Sequence, residues 1–412
     1  MKFFHLADLH LGKMVHGYSM IEMKDQPYWV ERLLEKTDQH QPDAVLISGD
    51  VYDRAVPSKE AVKLFDELLT ELSKRKVAVI IIAGNHDSGS RLAFADRLLC
   101  HQGIYIAGEI GKKIEPIILE DKHGKVYFWP LPYLFPAAVQ AVFGKEDIKD
   151  YDSAVKAVLE EQKIDFQERN VILSHQFVVS GNNKPTMGGS ETTVGGIGQV
   201  DASVFERFDY VALGHIHNAQ RMGKEQIRYA GSPLCYHFSE AGQKKGLTIV
   251  ELGRKGEVTV SVEEMKMLHK MKEYKGTLEE ILEEEIEANT YVKAIIRQEF
   301  IRSGTVEILR NHFESKQCVL MEVVRDFLNT GKKTELETRT DVKSLSLEQL
   351  FSEFYKSQYD GEFLGESLEQ IVGFVAEQTR NGYEEVSEKE RNDDLKHLIK
   401  FASEVKDEEE SV

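Results

Sequence analysis

Asp8-Leu9-His10, Gly49-Asp50, Gly84-Asn85-His86-Asp87, Ser174-His175 and Gly214-His215-Ile216-His217 are where side chains able to do chemistry gather in this 412-residue chain. Their types specify the chemistry. Carboxylates, imidazoles and one amide oxygen, with no thiolate among them, suit divalent ions such as Mn²⁺, Fe²⁺ or Zn²⁺. There are ligands enough for two ions. A pair of ions roughly 3.5–4 Å apart clamps the attacking and departing oxygens of an in-line phosphoryl displacement and makes hydroxide available at neutral pH. No serine or cysteine nucleophile is needed. Singly the residues say little: His175 or Asn85 alone is more often a hydrogen-bonded structural residue, and Asp8 or Asp50 alone a helix cap. Five such groups, each directly behind an apolar run, exclude that reading for the set.

The apolar runs are what must bring the groups together. Residues 3–7, 44–48, 77–83, 171–174 and 210–213 read as short strands, each ending at one group; 103–107, 126–131, 227–230 and 247–251 are further runs of this kind. Helical patterns intervene at 28–39, 58–75, 90–101 and 154–162, with Ser58 a candidate N-cap behind Pro57. This alternation predicts an α/β domain whose loops leave the C-terminal ends of its strands, the edge where ligands sit in open sheets. Glycine ahead of three groups lets the backbone turn sharply there. Beyond Gly253-Arg254-Lys255-Gly256 the pattern changes to strands at 258–262, 291–296 and 319–324 with helices at 278–286 and near 306–313, a small α+β domain. From 346 onward it is helical (347–355 and 368–378), ending in the acidic run Asp407-Glu408-Glu409-Glu410. The expected division is 1–254, 255–340 and 341–412.

Charge bears on the substrate. The formal net charge is −18, whereas nucleic-acid binders usually carry a basic footprint. The excess is uneven: residues 1–250 carry roughly −4 and 251–412 roughly −14, so it lies mostly outside the part that holds the chemistry. Bound metal neutralises part of the remainder. Three widely spaced cysteines exclude a disulfide framework and suit a reducing compartment. The first residues are too short an apolar run for a signal peptide, and no stretch is long enough to span a bilayer, which makes the cytoplasm the expected location.

The five groups together resemble the calcineurin-like metallophosphoesterase superfamily, whose pattern Asp-x-His, Gly-Asp, Gly-Asn-His-Asp/Glu, His, Gly-His-x-His is complete here. The resemblance implies a layered α/β/β/α sandwich and roles residue by residue. Asp8, His10 and His217 would hold one ion, Asn85, His175 and His215 the other, and Asp50 would bridge. His86 would protonate the leaving oxygen, with Asp87 orienting or biasing its imidazole.

The flanking sequence is similar to the SbcD nuclease family over roughly the first 250 residues. It is carried by Ala7-Asp8-Leu9-His10-Leu11-Gly12-Lys13, Gly49-Asp50-Val51-Tyr52-Asp53-Arg54 and Ala83-Gly84-Asn85-His86-Asp87-Ser88-Gly89-Ser90-Arg91-Leu92, and by Tyr229-Ala230-Gly231-Ser232-Pro233 running to Phe238-Ser239-Glu240. That likeness implies a Mn²⁺-dependent DNA exo- and endonuclease acting on ends and hairpins with an SMC-like ATPase subunit. It also implies a homodimer within a heterotetramer, pairing through residues 14–34, a capping domain at 255–340 and C-terminal helices that grip the ATPase. Asp53, Arg54 and Arg91 flank the ligand loops and are candidate DNA contacts. The Gly-rich stretch 181–198 is a candidate rim loop. The chain has no Gly-x-x-x-x-Gly-Lys-Ser/Thr phosphate loop, so any ATP hydrolysis belongs to a partner. Two rivals follow from the same residues: a stand-alone phosphodiesterase acting on a small nucleotide, which would ignore an ATPase, and a metal-free scaffold, which would have lost ligands.

Overall fold

A computed structural model of the chain describes residues 1–189, 198–297 and 304–326. Two six-stranded sheets position the chemistry. The first runs Val258–Glu264, Gly246–Leu252, Lys2–Leu6, Ala44–Ser48, Ala78–Ile82 and Ile104–Ala107, its last four strands parallel. The second runs Gln220–Met222, Lys224–Tyr229, Tyr210–Leu213, Arg169–Ser174, Gly124–Leu131 and Ile117–Asp121, with four parallel strands between antiparallel edges. The parallel strands are continuous apolar runs because both their faces are covered. Phe3, Leu46 and Ile80 of the first sheet meet Phe128, Leu173 and Tyr210 of the second in an inner core. On the outer side of the first sheet, Phe4, Val45 and Ile81 pack under Leu33, Leu64 and Leu68 of the helices Asp25–His40 and Lys59–Lys74. Ile172 and Val211 of the second pack under Val139, Val155 and Val158 of Pro136–Phe143 and Tyr151–Glu160. The layers are α/β/β/α, as the motifs imply. Ser58 caps Lys59–Lys74, its hydroxyl accepting from the Ala61 amide at 3.2 Å.

The expected helix at 90–101 is a correction. The segment breaks into Gly89–Leu92, Asp96–Leu99 and a 3₁₀ turn at Cys100–Gln102, with Ala95 at φ 64° between the first two. Its apolar residues do not form one face: Leu92 is buried while Phe94 and Leu98 are exposed, so nothing rewards a continuous helix. The helix expected at 278–286 stops at Glu283. Lys270–Gly276 is a strand that the sequence reading lacks, because its two large apolar residues, Met271 and Tyr274, fall on opposite faces and give no alternating pattern among the charged residues.

The division expected at 254/255 falls in the turn of a hairpin, since Val258–Glu264 pairs along its whole length with Gly246–Leu252. A separate three-stranded parallel sheet begins at Lys270, in the order Lys270–Gly276, Thr290–Ile296, Val319–Arg325. The helices Leu278–Glu283 and Thr305–Ser315 close a small core over it around Tyr274, Ile281, Leu309 and Phe313. Of the stretch 14–34, through which the resemblance implies pairing, Val15, Met20, Trp29, Val30 and Leu33 are core, while Met14 is exposed and Ile21 and Leu34 are partly so. The helical patterns at 347–355 and 368–378, the acidic tail, and residues 190–197 of the Gly-rich stretch lie outside the described residues.

One buried pair ties the sheets together. Arg169 donates to the Asp121 carboxylate at 2.6 and 3.1 Å and to the Gly253 carbonyl at 2.8 Å, with its side chain 4% exposed. Asp121→Ala leaves that guanidinium without a counter-charge and is expected to cost about 3 kcal/mol, read as a lower urea midpoint. Hydrogen bonding from Arg169 holds the Asp121 carboxyl well below the usual carboxylate range. Its contribution is therefore complete above the unfolded value, about 3.9, and is lost as pH falls through the depressed folded value. A midpoint unchanged by the substitution at pH 7 would show the pair to be energetically idle.

Candidate metal centre

All five sequence groups arrive at one place. Lys2–Leu6 delivers Asp8 and His10, Ala44–Ser48 delivers Asp50, Ala78–Ile82 delivers Asn85 and His86, Arg169–Ser174 delivers His175, and Tyr210–Leu213 delivers His215 and His217. Asp8, Asp50, His10, His175, His215 and His217 are buried, and Asn85 is partly so. Donor atoms of Asp8, His10 and His217 lie within 4.8 Å of one another, as do those of Asp8, Asp50 and His175. His175 Nε2 is 3.1 Å from Asn85 Oδ1 and 3.3 Å from Asp50 Oδ2, and His215 Nδ1 is 3.0 Å from Asn85 Oδ1. His10 Nε2 and His217 Nε2 converge to 3.1 Å.

Glycine here serves close approach more than turning. A Cβ on Gly84 would stand 2.1 Å from Asp50 Oδ1, and one on Gly214 would stand 1.9 Å from the Ser48 carbonyl. The ligand residues themselves carry the unusual backbone: Asp8, His10, Asp50 and His215 have φ of 54°, 42°, 49° and 98°. Non-glycine residues held in that region cost of order 1–3 kcal/mol each and cluster at functional sites.

The ring orientations fit ion ligation. His175 Nδ1 donates to the Ser48 carbonyl at 2.7 Å, which turns its Nε2 lone pair to the cluster. His217 Nδ1 faces Glu240 Oε1 at 3.3 Å, which does the same for that ring. Such partners on the far nitrogen are how metal-binding histidines are fixed. Burial holds His10 well below its usual value and His215 down at about 3, the latter helped by the His175 charge. His175 moves the other way, to about 9: burial opposes its charge, but Asp50 and Asp8 overcome that. Burial likewise opposes ionisation of Asp50, yet His175, His10 and His86 hold it well below the carboxylate range. The donor set, the imidazoles of His10 and His215 held neutral by burial, and the paired carboxylates all fit divalent metal.

His86 and Asp87 part company. His86 Nδ1 donates to the Asp53 carbonyl at 3.0 Å, its amide donates to Asp50 Oδ1 at 2.9 Å, and its ring centroid is 4.8 Å from that of His10. The expectation that Asp87 orients His86 is corrected: the Asp87 carboxylate accepts from the amides of Val51, Tyr52 and Gly84 at 3.1, 2.9 and 2.9 Å. Those three donors bind it to the backbones of two ligand loops, which it joins. Asp53 is engaged by Lys13 at 2.7 Å, while Arg54 is exposed and 3.8 Å from Asp53. Arg91, also exposed, donates to the Ala55 carbonyl at 3.0 Å.

Three supporting residues escaped the sequence reading. Gln26 donates to the His10 carbonyl at 2.8 Å and the Leu9 carbonyl at 3.3 Å, and accepts from the Gly12 amide at 2.9 Å. Glu240, behind His217, accepts from buried Lys245 at 2.9 Å. Lys245 also donates to the His217 carbonyl at 3.0 Å.

Two sheets delivering this donor set at one edge define a calcineurin-like metallophosphoesterase. The sequence profile of the calcineurin-like phosphoesterase family matches residues 1–219, and that of the Type 5 capsule protein repressor C-terminal domain matches residues 267–359. Curated relatives include the D component of nuclease SbcCD from Staphylococcus epidermidis, 28% identical over 91% of this chain and 99% of that one. The same-named protein of Staphylococcus saprophyticus is 31% identical over 70% of this chain and 75% of its own. The chain belongs to this SbcD family. Among the described residues no helix is long and apolar enough to cross a membrane.

Proposed function

We propose that the chain is the nuclease subunit of a DNA-processing complex, a metal-dependent exonuclease and endonuclease acting at DNA ends and hairpins in double-strand-break repair and recombination. The observation that carries this is the convergence of seven donor side chains from five strand ends in a chain of the SbcD family. Asp8, His10 and His217 would hold one ion, Asn85, His175 and His215 the other, and Asp50 would serve both; Mn²⁺ is the expected metal. Two such ions supply Lewis acidity at the phosphoryl group and an activated water. The chain's own residues do the rest. Glu240 and the Ser48 carbonyl aim His217 and His175. His86, held by the Asp53 carbonyl, keeps Nε2 available to give a proton to the leaving oxygen.

The resemblance to the SbcD family makes an SMC-like ATPase the expected partner, and any ATP hydrolysis falls to it, since this sequence has no nucleotide phosphate loop. Residues 341–412 are the docking region, and the small unit from Lys270 caps the site over DNA. Two copies form a homodimer within a heterotetramer in the cytoplasm, and exposed Phe94 and Leu98 leave apolar surface for such contacts. Arg54 and Arg91 meet the DNA backbone at the rim. A nuclease assay on blunt duplex and hairpin DNA with Mn²⁺, with and without the ATPase, tests this. Expected are metal-dependent cleavage and ATP-stimulated digestion of duplex ends only with the partner. Hydrolysis of small phosphodiesters with no cleavage of either DNA under any condition would overturn it.

A further inference from the structure

The small unit beyond Lys270 touches the rest of the chain at a particular spot. Asp25, 2% exposed at the start of the helix Asp25–His40, accepts from His269 Nδ1 at 3.0 Å, from the His269 amide at 3.3 Å and from the Tyr291 hydroxyl. The His269 and Tyr291 rings stack at 4.6 Å, so the two donors form one block. The next residue, Gln26, is 1% exposed and grips the loop that carries His10 at both ends, through the Leu9 and His10 carbonyls and the Gly12 amide. Asp25 and Gln26 share a peptide bond at the first turn of a rigid helix. A displacement of the small sheet therefore reaches His10 through two residues.

A second contact leads to the same ion position. Phe238 lies under Lys293 of the small sheet, at 5.9 Å from ring centroid to Nζ. It opens the turn Phe238–Glu240, whose last residue faces His217. The rings at the other position take their side-chain supports from elsewhere, although the His215 amide also donates to Asp8 at 3.0 and 3.2 Å. His175 is held by the Ser48 carbonyl, and both His175 and His215 by Asn85, all inside the two large sheets.

We infer that Gln26 is a positioning residue for the ion position of Asp8, His10 and His217, and that the small sheet, anchored on Asp25, sets the affinity of that position alone. The inference rests on the ligand assignment under the proposed function. An arrangement of this kind makes one metal position responsive to whatever moves the cap and leaves the other fixed.

The test is Mn²⁺ titration of the full-length chain followed by electron paramagnetic resonance, with hydrolysis of bis(p-nitrophenyl) phosphate measured in parallel. The variants are Gln26→Leu, Gln26→Asn and the cap-side pair Tyr291→Phe with His269→Ala, which touches neither a ligand nor its loop. In Gln26→Leu one Mn²⁺ is expected to bind as in the parent and the other 10–100-fold more weakly, the range typical of lost outer partners. The cap-side pair should weaken the same position by a smaller factor, with loss of the spin-coupled two-ion signal. Gln26→Asn, one methylene shorter, covers the case in which the leucine variant does not fold. Parent-like binding of two ions in the cap-side pair, or equal weakening of both ions, overturns the coupling. His10→Ala is the separate control: if it binds two ions normally, the ligand assignment fails, whatever the other variants do.

Discussion

Replacing Asp50 by alanine is expected to strip metal and abolish hydrolysis together. Asp50 is the carboxylate on which both halves of the cluster lean: its Oδ2 is 3.3 Å from His175 Nε2 and 3.6 Å from His10 Nε2, and its Oδ1 accepts from the His86 amide. In the proposed assignment its removal takes a shared donor from both ions, and it leaves His175 without its nearest counter-charge. The fall in metal affinity should exceed the roughly 10–100-fold seen when only an outer partner is lost. Metal analysis after dialysis, beside turnover of a small phosphodiester, measures both effects on one sample. Retention of two ions by Asp50→Ala would remove it from the bridging role.

His86→Ala should do the reverse. The side chain sits at the cluster with its Nδ1 held by the Asp53 carbonyl, and in the proposed assignment its Nε2 lends a proton rather than a bond to metal. Two ions should stay bound while cleavage of DNA falls on the order of 10²–10⁴-fold, the usual worth of a general acid. The loss depends on the leaving group. The sugar alkoxide of DNA needs protonation, whereas p-nitrophenolate departs without it, so the activated ester should be hydrolysed at close to the parent rate. A site emptied of metal, or equal losses on both substrates, would show that His86 serves the structure instead.

The convergence of the site was legible because buried parallel strands must be apolar throughout, and a polar group directly behind such a run marks a strand end. What lay behind the ligands was not legible. The Ser48 carbonyl that fixes His175 has no residue type to read, and Gln26 and Glu240 are ordinary residues whose meaning comes from contacts 16 and 23 positions away. Asp87 was misread because neighbours in sequence are not neighbours in space: its carboxylate faces backward onto Val51 and Tyr52. The break at Ala95 depends on which apolar side chains find a core. Periodicity does not report that.

The left-handed backbone at positions 8, 10, 50 and 215 sets folding against function. Glycine would accept those angles without strain, but it carries no donor atom. Two costs therefore oppose each other at these positions. Glycine would relieve the backbone strain, but at position 50 it would also leave the buried His175 ring without its carboxylate partner 3.3 Å away. A search for sturdier variants by melting temperature alone, with ions withheld, weighs only those two terms and is blind to the donor atom that is lost.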